Sequence, residues 1–147
     1  MRQYGLQKLT KGRISAVTAK LANWSGAAYN GPAIGTIAAK GSHKVTVPDG
    51  WDGRICESTG GCANGCYGQC SMVEFNMNSG GLNWYDISNI QAFTVAQKIQ
   101  AGAGCDAVSC GAANCPCKQA YRPGDTSGTC GGSGPVDQGN CPGLRKG

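Results

Sequence analysis

Ten cysteines in a chain of 147 residues constrain this sequence more than any other feature. Their number is even and too high for an ordinary cytosolic enzyme, so it favours a disulfide framework formed in an oxidising compartment. We therefore expect disulfide bonds at Cys56, Cys62, Cys66, Cys70, Cys105, Cys110, Cys115, Cys117, Cys130 and Cys141. The same reasoning predicts an extracellular, secreted protein.

Zinc binding is the alternative explanation for a group of cysteines. Cys62, Cys66 and Cys70 would have to hold the ion together with Cys56, but their spacing differs from that of the usual paired zinc ligands. The single histidine, His43, lies far from every cysteine cluster. We therefore favour disulfides, and we predict no metal and no cofactor.

Glycine supplies 25 of the 147 residues, which favours many turns and short strands. The segment PDGWDG, residues 48–53, predicts a turn in which Gly50 and Gly53 are able to adopt positive φ. Residues 56–70 read as a cysteine-linked loop with little regular structure.

Alternation of polar and apolar residues is the main secondary-structure signal. It predicts a strand at Lys44–Val47 and another at residues 91–99, and residues 13–25 fit one long strand or two short ones. No long helical period is present. We therefore predict an all-β protein.

The length fits a single domain covering residues 1–147. Residues 1–12 are expected to form a flexible polar leader. Residues 105–147 consist mostly of small residues and six cysteines, so they form a lobe that must be held by disulfides because it cannot bury enough apolar area to fold alone.

The net charge of +5 is concentrated in the first 48 residues, which contain seven Lys and Arg and no acid. Such a segment would suit anionic lipid, nucleic acid or acidic polysaccharide. Its basic residues are dispersed along the segment, so we favour a scattered positive surface and no nucleic-acid partner.

Membrane insertion is not indicated, because no apolar run is long enough to span a bilayer. Residues 1–13 lack the apolar segment of a signal peptide, so for a secreted protein we expect that a leader has been removed. Asn23-Trp24-Ser25 is a glycosylation sequon, which predicts a glycan on Asn23 and agrees with a secretory route.

Residues 73–90 predict a β-hairpin with one polar face. Val73, Phe75 and Met77 fall on one side of the first strand, and Glu74, Asn76 and Asn78 on the other. A three-residue loop, Ser79-Gly80-Gly81, places Glu74 directly opposite Asp86. A two-residue loop, Gly80-Gly81, would slip the register by one residue, and Asp86 would then meet no carboxylate.

Opposed carboxylates are unusual, because like charges at Cβ separations of about 4.5–5.5 Å destabilise a sheet. An acidic site gains from such a pair, since proximity raises one pKa and leaves a proton to donate. Glycosidases use two carboxyl groups in this way. Glu74 and Asp86 are therefore our candidate catalytic pair.

The same hairpin resembles the thaumatin-like proteins. VEFNMNSGGLNWYDISNIQAF is similar to the family pattern in which an AEF strand leads to a YD(I/V)S strand and a GFN segment. VTVPDGWDGRIC is similar to the strand and turn before the family's RIW motif. GCDAVSCGAANCPC and the CPG at Cys141 are similar to cysteine-containing segments of the family, so the resemblance covers roughly residues 41–141.

The resemblance implies a flattened antiparallel β-sandwich with disulfide-rich loops and a reduced C-terminal lobe. It also implies a defence-related, antifungal, pathogenesis-related protein whose acidic cleft binds, and in some members slowly hydrolyses, β-1,3-glucan. Arg54, Glu74 and Asp86 match the arginine, the glutamate and one of three aspartates of that cleft, whereas Gln91 replaces the next aspartate. We therefore expect a reduced acidic groove and at most a weak endo-β-1,3-glucanase.

The roles implied for this groove give Glu74 the proton and make Asp86 the second carboxylate. Arg54 would adjust the pKa of one of them or hold a sugar hydroxyl, and Gln91 would also contact the substrate. Trp84 or Tyr85 would stack on a sugar ring, with core packing as the alternative for Trp84. The expected partner is β-1,3-glucan or another cell-wall polysaccharide, bound by a monomer. The alternative is a non-enzymatic elicitor or effector that a host plant receptor recognises, and membrane disruption is disfavoured because no amphipathic helix is evident.

The resemblance also implies a disulfide pairing. It joins Cys56 to Cys62, Cys66 to Cys70, Cys105 to Cys141 and Cys110 to Cys130. Cys115 and Cys117 are then left to pair with each other.

Overall fold

The computed structural model describes residues 2–5, 15–58, 61–100, 105, 107–127 and 139–142. Within these residues the regular structure consists of strands, and none of them is helical. The strands are β1 (Arg2–Gly5), β2 (Val17–Gly26), β3 (Gly35–Ile37), β4 (Lys44–Val47), β5 (Trp51–Glu57), β6 (Gly61–Asn64), β7 (Tyr67–Gln69), β8 (Met72–Ser79), β9 (Leu82–Ser88), β10 (Gln97–Gln100), β11 (Ala107–Cys110) and β12 (Gly139–Pro142). The prediction of an all-β protein is confirmed.

A six-stranded sheet in the order β12-β9-β8-β5-β2-β3 dominates the described part of the chain. Three two-stranded sheets, β1-β4, β6-β7 and β10-β11, accompany it, and all of these strand pairs are antiparallel. An antiparallel β fold cross-linked by disulfides is thus confirmed. The sandwich architecture and the reduced lobe stay predictions.

The hydrophobic core lies on one face of the six-stranded sheet. Alternation along the strands sends every second side chain to that face, where Trp51, Ile55, Val73, Phe75, Met77, Tyr85 and Ile87 are buried. These side chains cluster with Val45 and Val47 of β4, Ile99 of β10 and Val108 of β11. Asp52, Arg54, Glu74, Asn76 and Asp86, which alternate with these side chains along β5, β8 and β9, therefore stand together on the opposite face.

The β8–β9 hairpin combines features of both loops considered for it. Its turn is the two-residue Gly80-Gly81, with φ of 60° and 81°, between the paired residues Ser79 and Leu82. The predicted three-residue loop is therefore wrong. A β-bulge between Asn76 and Ser79 inserts one extra residue into β8, which restores the register. Glu74 consequently pairs with Asp86, as predicted.

Residues 56–70 contain more structure than predicted, because β6 and β7 form a second hairpin there. Its turn residues Gly65 and Cys66 both have φ of 58°. Disulfides join Cys56 to Cys66 across the end of β5, and Cys62 to Cys70 within the loop. The predicted pairs Cys56–Cys62 and Cys66–Cys70 are wrong, because the hairpin places Cys66 beside β5 rather than beside Cys70.

The C-terminal cysteines are also paired differently from the prediction. Cys110 is bonded to Cys115, five positions further along the chain, so the pairs Cys110–Cys130 and Cys115–Cys117 are wrong. Cys105 and Cys117 are disulfide-bonded as well. Cys130, and the side chain of Cys141, lie outside the described residues, so the pair Cys105–Cys141 and a disulfide at Cys130 stay predictions.

Several predicted segments differ in extent. Gly50 has φ of 75° in a turn closed by a hydrogen bond from Trp51 N to Pro48 O, but Gly53 lies within β5. Within residues 91–99 only the end is a strand, because the backbone amides of Thr94 and Val95 donate to Ser71 Oγ instead of to a neighbouring strand.

Both ends of the chain contribute strands. Arg2–Gly5 lies within the stretch predicted as a flexible leader, yet it pairs with β4. β11 and β12 lie within the predicted lobe, yet they pair with β10 and β9. The described strands of this segment are therefore held by pairing with the rest of the fold, in addition to the disulfides.

Gly53 should tolerate no side chain. An added Cβ would overlap the indole ring of Trp51 and would lie 2.5 Å from Ala22 O. We expect Gly53→Ala to lower the free energy of unfolding by about 1–3 kcal/mol, as overpacking usually does. Thermal and urea denaturation with intact disulfides would measure the change.

Gly111→Ala is the matched control, because nothing lies within 4 Å of a Cβ at that position and its φ is not positive. It should change the free energy of unfolding by no more than about 0.5 kcal/mol. Equal effects of the two substitutions would contradict the packing argument.

Candidate functional site

Three ionisable side chains form a row across adjacent strands on the face opposite the core. The register pairs Arg54 of β5 with Glu74 of β8, and Glu74 with Asp86 of β9. Arg54 Nη2 lies 3.0 Å from Glu74 Oε1, and the Arg54 side chain is only 4% exposed. The sheet therefore holds a buried cation beside two carboxyl groups.

A second row of polar side chains lies beside the first, and each of its members is two residues from a member of the first row on the same strand. Asp52 pairs with Asn76, which pairs with Trp84. Asp52 also accepts a hydrogen bond from Ser25 Oγ of β2. A third carboxylate therefore stands on the same face as Glu74 and Asp86.

The two rows line an open groove of about 470 Å³, which is within the usual size range of ligand sites. Its walls come from β2, β5, β8 and β9 and consist of Trp24, Asp52, Gly53, Glu74, Phe75, Asn76, Trp84 and Asp86. Carboxylates, an amide and indole rings thus meet in one concave surface.

Two aromatic rings cover the guanidinium of Arg54. Its Cζ lies 3.7 Å from the ring centre of Trp24 and 4.5 Å from that of Tyr67. The two rings are 6.1 Å apart and inclined at 56°, so they form a corner around the cation. Attraction between a cation and aromatic faces of this kind strengthens as the cation is removed from water.

Local backbone features place each ring on Arg54. Trp24 is the extra residue of a β-bulge in β2, between Asn23 and Ser25, and such bulges redirect side chains. Tyr67 follows Cys66, which is bonded to Cys56, two residues beyond Arg54 in β5. The Cys56–Cys66 disulfide therefore holds the β6–β7 hairpin, and with it Tyr67, over the guanidinium.

The electrostatics of the row separate its two carboxyl groups. Burial, followed by the charge of Glu74, raises the pKa of Asp86 to about 8 against an attraction from Arg54 that lowers it. Asp86 Oδ1 is buried without a hydrogen-bond partner among the described residues, so its charge is poorly stabilised. Asp86 is thus protonated at neutral pH.

Glu74 has a different balance. Burial raises its pKa, as does the charge of Asp52, whereas Arg54 and a hydrogen bond from Ser88 lower it. The net direction is upward, but Glu74 keeps the ion pair with Arg54 that favours its charged form. The row therefore places a neutral carboxyl group beside an ion pair, an arrangement that can donate and accept hydrogen bonds in the same groove.

The structure sorts the residues proposed from sequence. Glu74, Asp86 and Trp84 line the groove, whereas Arg54 is buried and reaches it only through its ion pair with Glu74. Tyr85 is 4% exposed on the core face, so its prediction as a sugar-stacking residue is wrong, because neighbouring residues of a strand point to opposite faces. Gln91 is exposed beyond the end of β9 and is not among the groove-lining residues.

Asn23 has a structural function in addition to its position in a sequon. Its Oδ1 accepts hydrogen bonds from Trp51 Nε1 and Tyr29 N, both at 2.9 Å, and its Nδ2 donates to Tyr29 O. The side chain thereby fixes the indole of a core tryptophan. Glycosylation of Asn23 stays a prediction.

Sequence reasoning missed Asp52, Trp24 and Tyr67. Asp52 was detectable, because residues two apart in a strand share a face, and Arg54 follows it by two. Trp24 depends on a bulge and Tyr67 on a disulfide, and neither leaves a signal in local sequence.

The cysteines considered as zinc ligands do come together. The Sγ atoms of Cys56, Cys62 and Cys70 all lie within 4.8 Å of one another, at buried positions. They belong to the Cys56–Cys66 and Cys62–Cys70 disulfides, and zinc needs deprotonated thiolates as ligands. This cluster therefore acts as a covalent clamp on the β6–β7 hairpin.

No family model matches the chain, and no curated protein matches it. The resemblance to thaumatin-like proteins consequently stays a prediction. Within the described residues, no helix has the length and apolar character needed to cross a membrane.

Asp86→Asn should stabilise the protein increasingly as the pH rises. The folded state keeps a proton on Asp86 up to a pKa of about 8, whereas the unfolded chain loses it near 3.8. The wild-type protein therefore loses stability between these values, because its folded state binds more protons. Asparagine removes this dependence.

Melting temperatures of both proteins between pH 4 and pH 9 would check this expectation. The melting temperature of the variant, relative to that of the wild type, should rise steadily across that range. Above pH 9 this difference should stay constant. A difference that does not vary with pH would show that Asp86 titrates near its ordinary value.

Proposed function

We propose that this protein is a secreted carbohydrate-binding protein of the thaumatin-like type, whose groove binds β-1,3-glucan of a cell wall. The observation that carries the proposal is the lining of the groove, where Asp52, Glu74 and Asp86 stand beside the indoles of Trp24 and Trp84. Carboxyl groups suit the hydroxyls of a sugar, and indoles suit the apolar face of its ring.

The protonation of the groove supports recognition of hydroxyl groups. A sugar hydroxyl is both donor and acceptor, so a ligand site gains from offering both functions. Protonated Asp86 donates, whereas Glu74, which is paired with Arg54, accepts, and hydrogen bonds to a charged group are the stronger kind.

Binding is favoured over efficient hydrolysis for a geometric reason. The two carboxyl groups of a glycosidase flank the scissile bond. Glu74 and Asp86 are cross-strand neighbours on one sheet surface, so both approach a ligand from the same side. Any residual hydrolysis would use Asp86 as the acid, because its pKa of about 8 keeps the proton that Glu74 was expected to donate.

The disulfides support the proposal that the protein is secreted, whereas the choice of β-1,3-glucan as the ligand has a different basis. Disulfides at Cys56–Cys66, Cys62–Cys70 and Cys110–Cys115 are typical of an oxidising, extracellular environment. The glucan rests on the resemblance of the hairpin to the thaumatin-like pattern. The elicitor hypothesis remains the alternative if no polysaccharide binds.

Glu74→Gln should weaken binding to laminarihexaose, a soluble β-1,3-glucan fragment. The substitution removes the acceptor charge and the ion pair with Arg54, and a hydrogen bond to a charged group contributes about 1.5–3 kcal/mol. We expect the Kd to rise about 10- to 100-fold. Isothermal titration calorimetry would measure it.

Glu57→Gln is the control, because Glu57 is the chain's only other glutamate and does not line the groove. The Glu57→Gln variant should bind laminarihexaose with the same Kd as the wild type. Equal weakening by both substitutions, or no binding by the wild type, would rule out recognition of the glucan by this groove.

A further inference from the structure

Trp24 and Tyr67 are the large hydrophobic residues that the described part of the chain leaves exposed. Each has 58% of its surface accessible, in a structure whose other large apolar side chains are buried or half-buried. They adjoin one another at 6.1 Å between ring centres. An exposed aromatic pair at the edge of a groove is typical of a ligand-contact surface.

The orientation of Trp24 is fixed before any ligand arrives. One face of its indole lies 3.7 Å from the Arg54 Cζ, and Arg54 is itself held by Glu74 and is 4% exposed. Because the ring is 58% exposed and lines the groove, it still presents apolar surface to a ligand. A pre-oriented ring lowers the conformational entropy lost on binding.

We propose that Trp24 is the stacking platform for one β-linked, glucose-configured sugar ring, and that Tyr67 extends this platform beyond the groove. The proposal rests on the proposed function and specifies which ligand face is recognised. It gives the aromatic corner around Arg54 a role in selecting the linkage of the polysaccharide.

The chemistry of the sugar explains the selection. In a β-linked glucopyranose every substituent is equatorial, so the axial hydrogens on C1, C3 and C5 form one flat apolar face. An α-linkage places the glycosidic oxygen axially on that same face and removes its flatness. A ring that stacks on Trp24 through this face should therefore be β-linked.

Calorimetry with laminarihexaose and with maltohexaose, an α-1,4-glucan of equal length, tests the selection. The wild type should bind laminarihexaose and prefer it clearly to maltohexaose. Trp24→Ala should lose about tenfold in affinity for laminarihexaose and most of the preference, as expected for removal of one stacked aromatic contact. Trp24→Phe keeps a smaller aromatic face and should recover most of the affinity.

Nuclear Overhauser effects between the ligand and the Trp24 ring provide a direct readout of contact. The Trp24 signals are identified by their loss in Trp24→Ala, and they should show effects from the sugar protons H1, H3 and H5 together. This pattern reports stacking of one face and would not arise if Trp24 acted only by shielding Arg54.

The outcomes separate the two proposals. If the wild type binds neither sugar, the proposed function is wrong. If it binds laminarihexaose and Glu74→Gln weakens binding, but Trp24→Ala does not, the groove binds glucan and the stacking proposal is wrong. Weaker binding by Trp24→Ala without the H1, H3 and H5 contacts would also overturn stacking, because Trp24 would then act through Arg54.

Discussion

The guanidinium of Arg54 is the group around which the polar face of the sheet is organised. A buried cation is expensive unless it has partners, and here Glu74 supplies an ion pair while Trp24 and Tyr67 supply aromatic faces. These partners come from three different segments, β8, the bulge in β2 and the β6–β7 hairpin. The contacts that stabilise the buried charge of Arg54 therefore also fix the relative positions of the groove, its aromatic edge and the cysteine-linked hairpin.

The same organisation determines the protonation of the groove. One cation stands in a row with two carboxyl groups, so only one of them receives a strong counter-charge. Glu74 takes it, and Asp86, which is more deeply placed and faces the charge of Glu74, keeps its proton. Because Asp86 keeps its proton, the two carboxyl groups do not repel each other as two charges would. They stand side by side as a hydrogen-bond donor, Asp86, and an acceptor, Glu74.

Prediction from sequence succeeded where the determinant was local. Alternation predicted the all-β fold and the two faces of β8, and together with the assumed three-residue loop it placed Glu74 opposite Asp86. The loop that produced this register was nevertheless wrong. A bulge compensates for the tighter turn at Gly80-Gly81, because a buried face requires that Phe75 and Tyr85 both point to the core.

The sequence by itself determined the strand periodicity and the disulfide-dependent character of the chain, and it singled out Glu74 and Asp86 as the candidate pair. Tertiary structure decided which cysteines pair, that Tyr85 is in the core, and that Trp24 and Tyr67 meet on Arg54. The physical reason is range. The direction of a side chain in a strand follows a two-residue alternation that can be read from the local sequence. A disulfide, a bulge or an aromatic contact depends instead on which distant segments the packed sheet brings together.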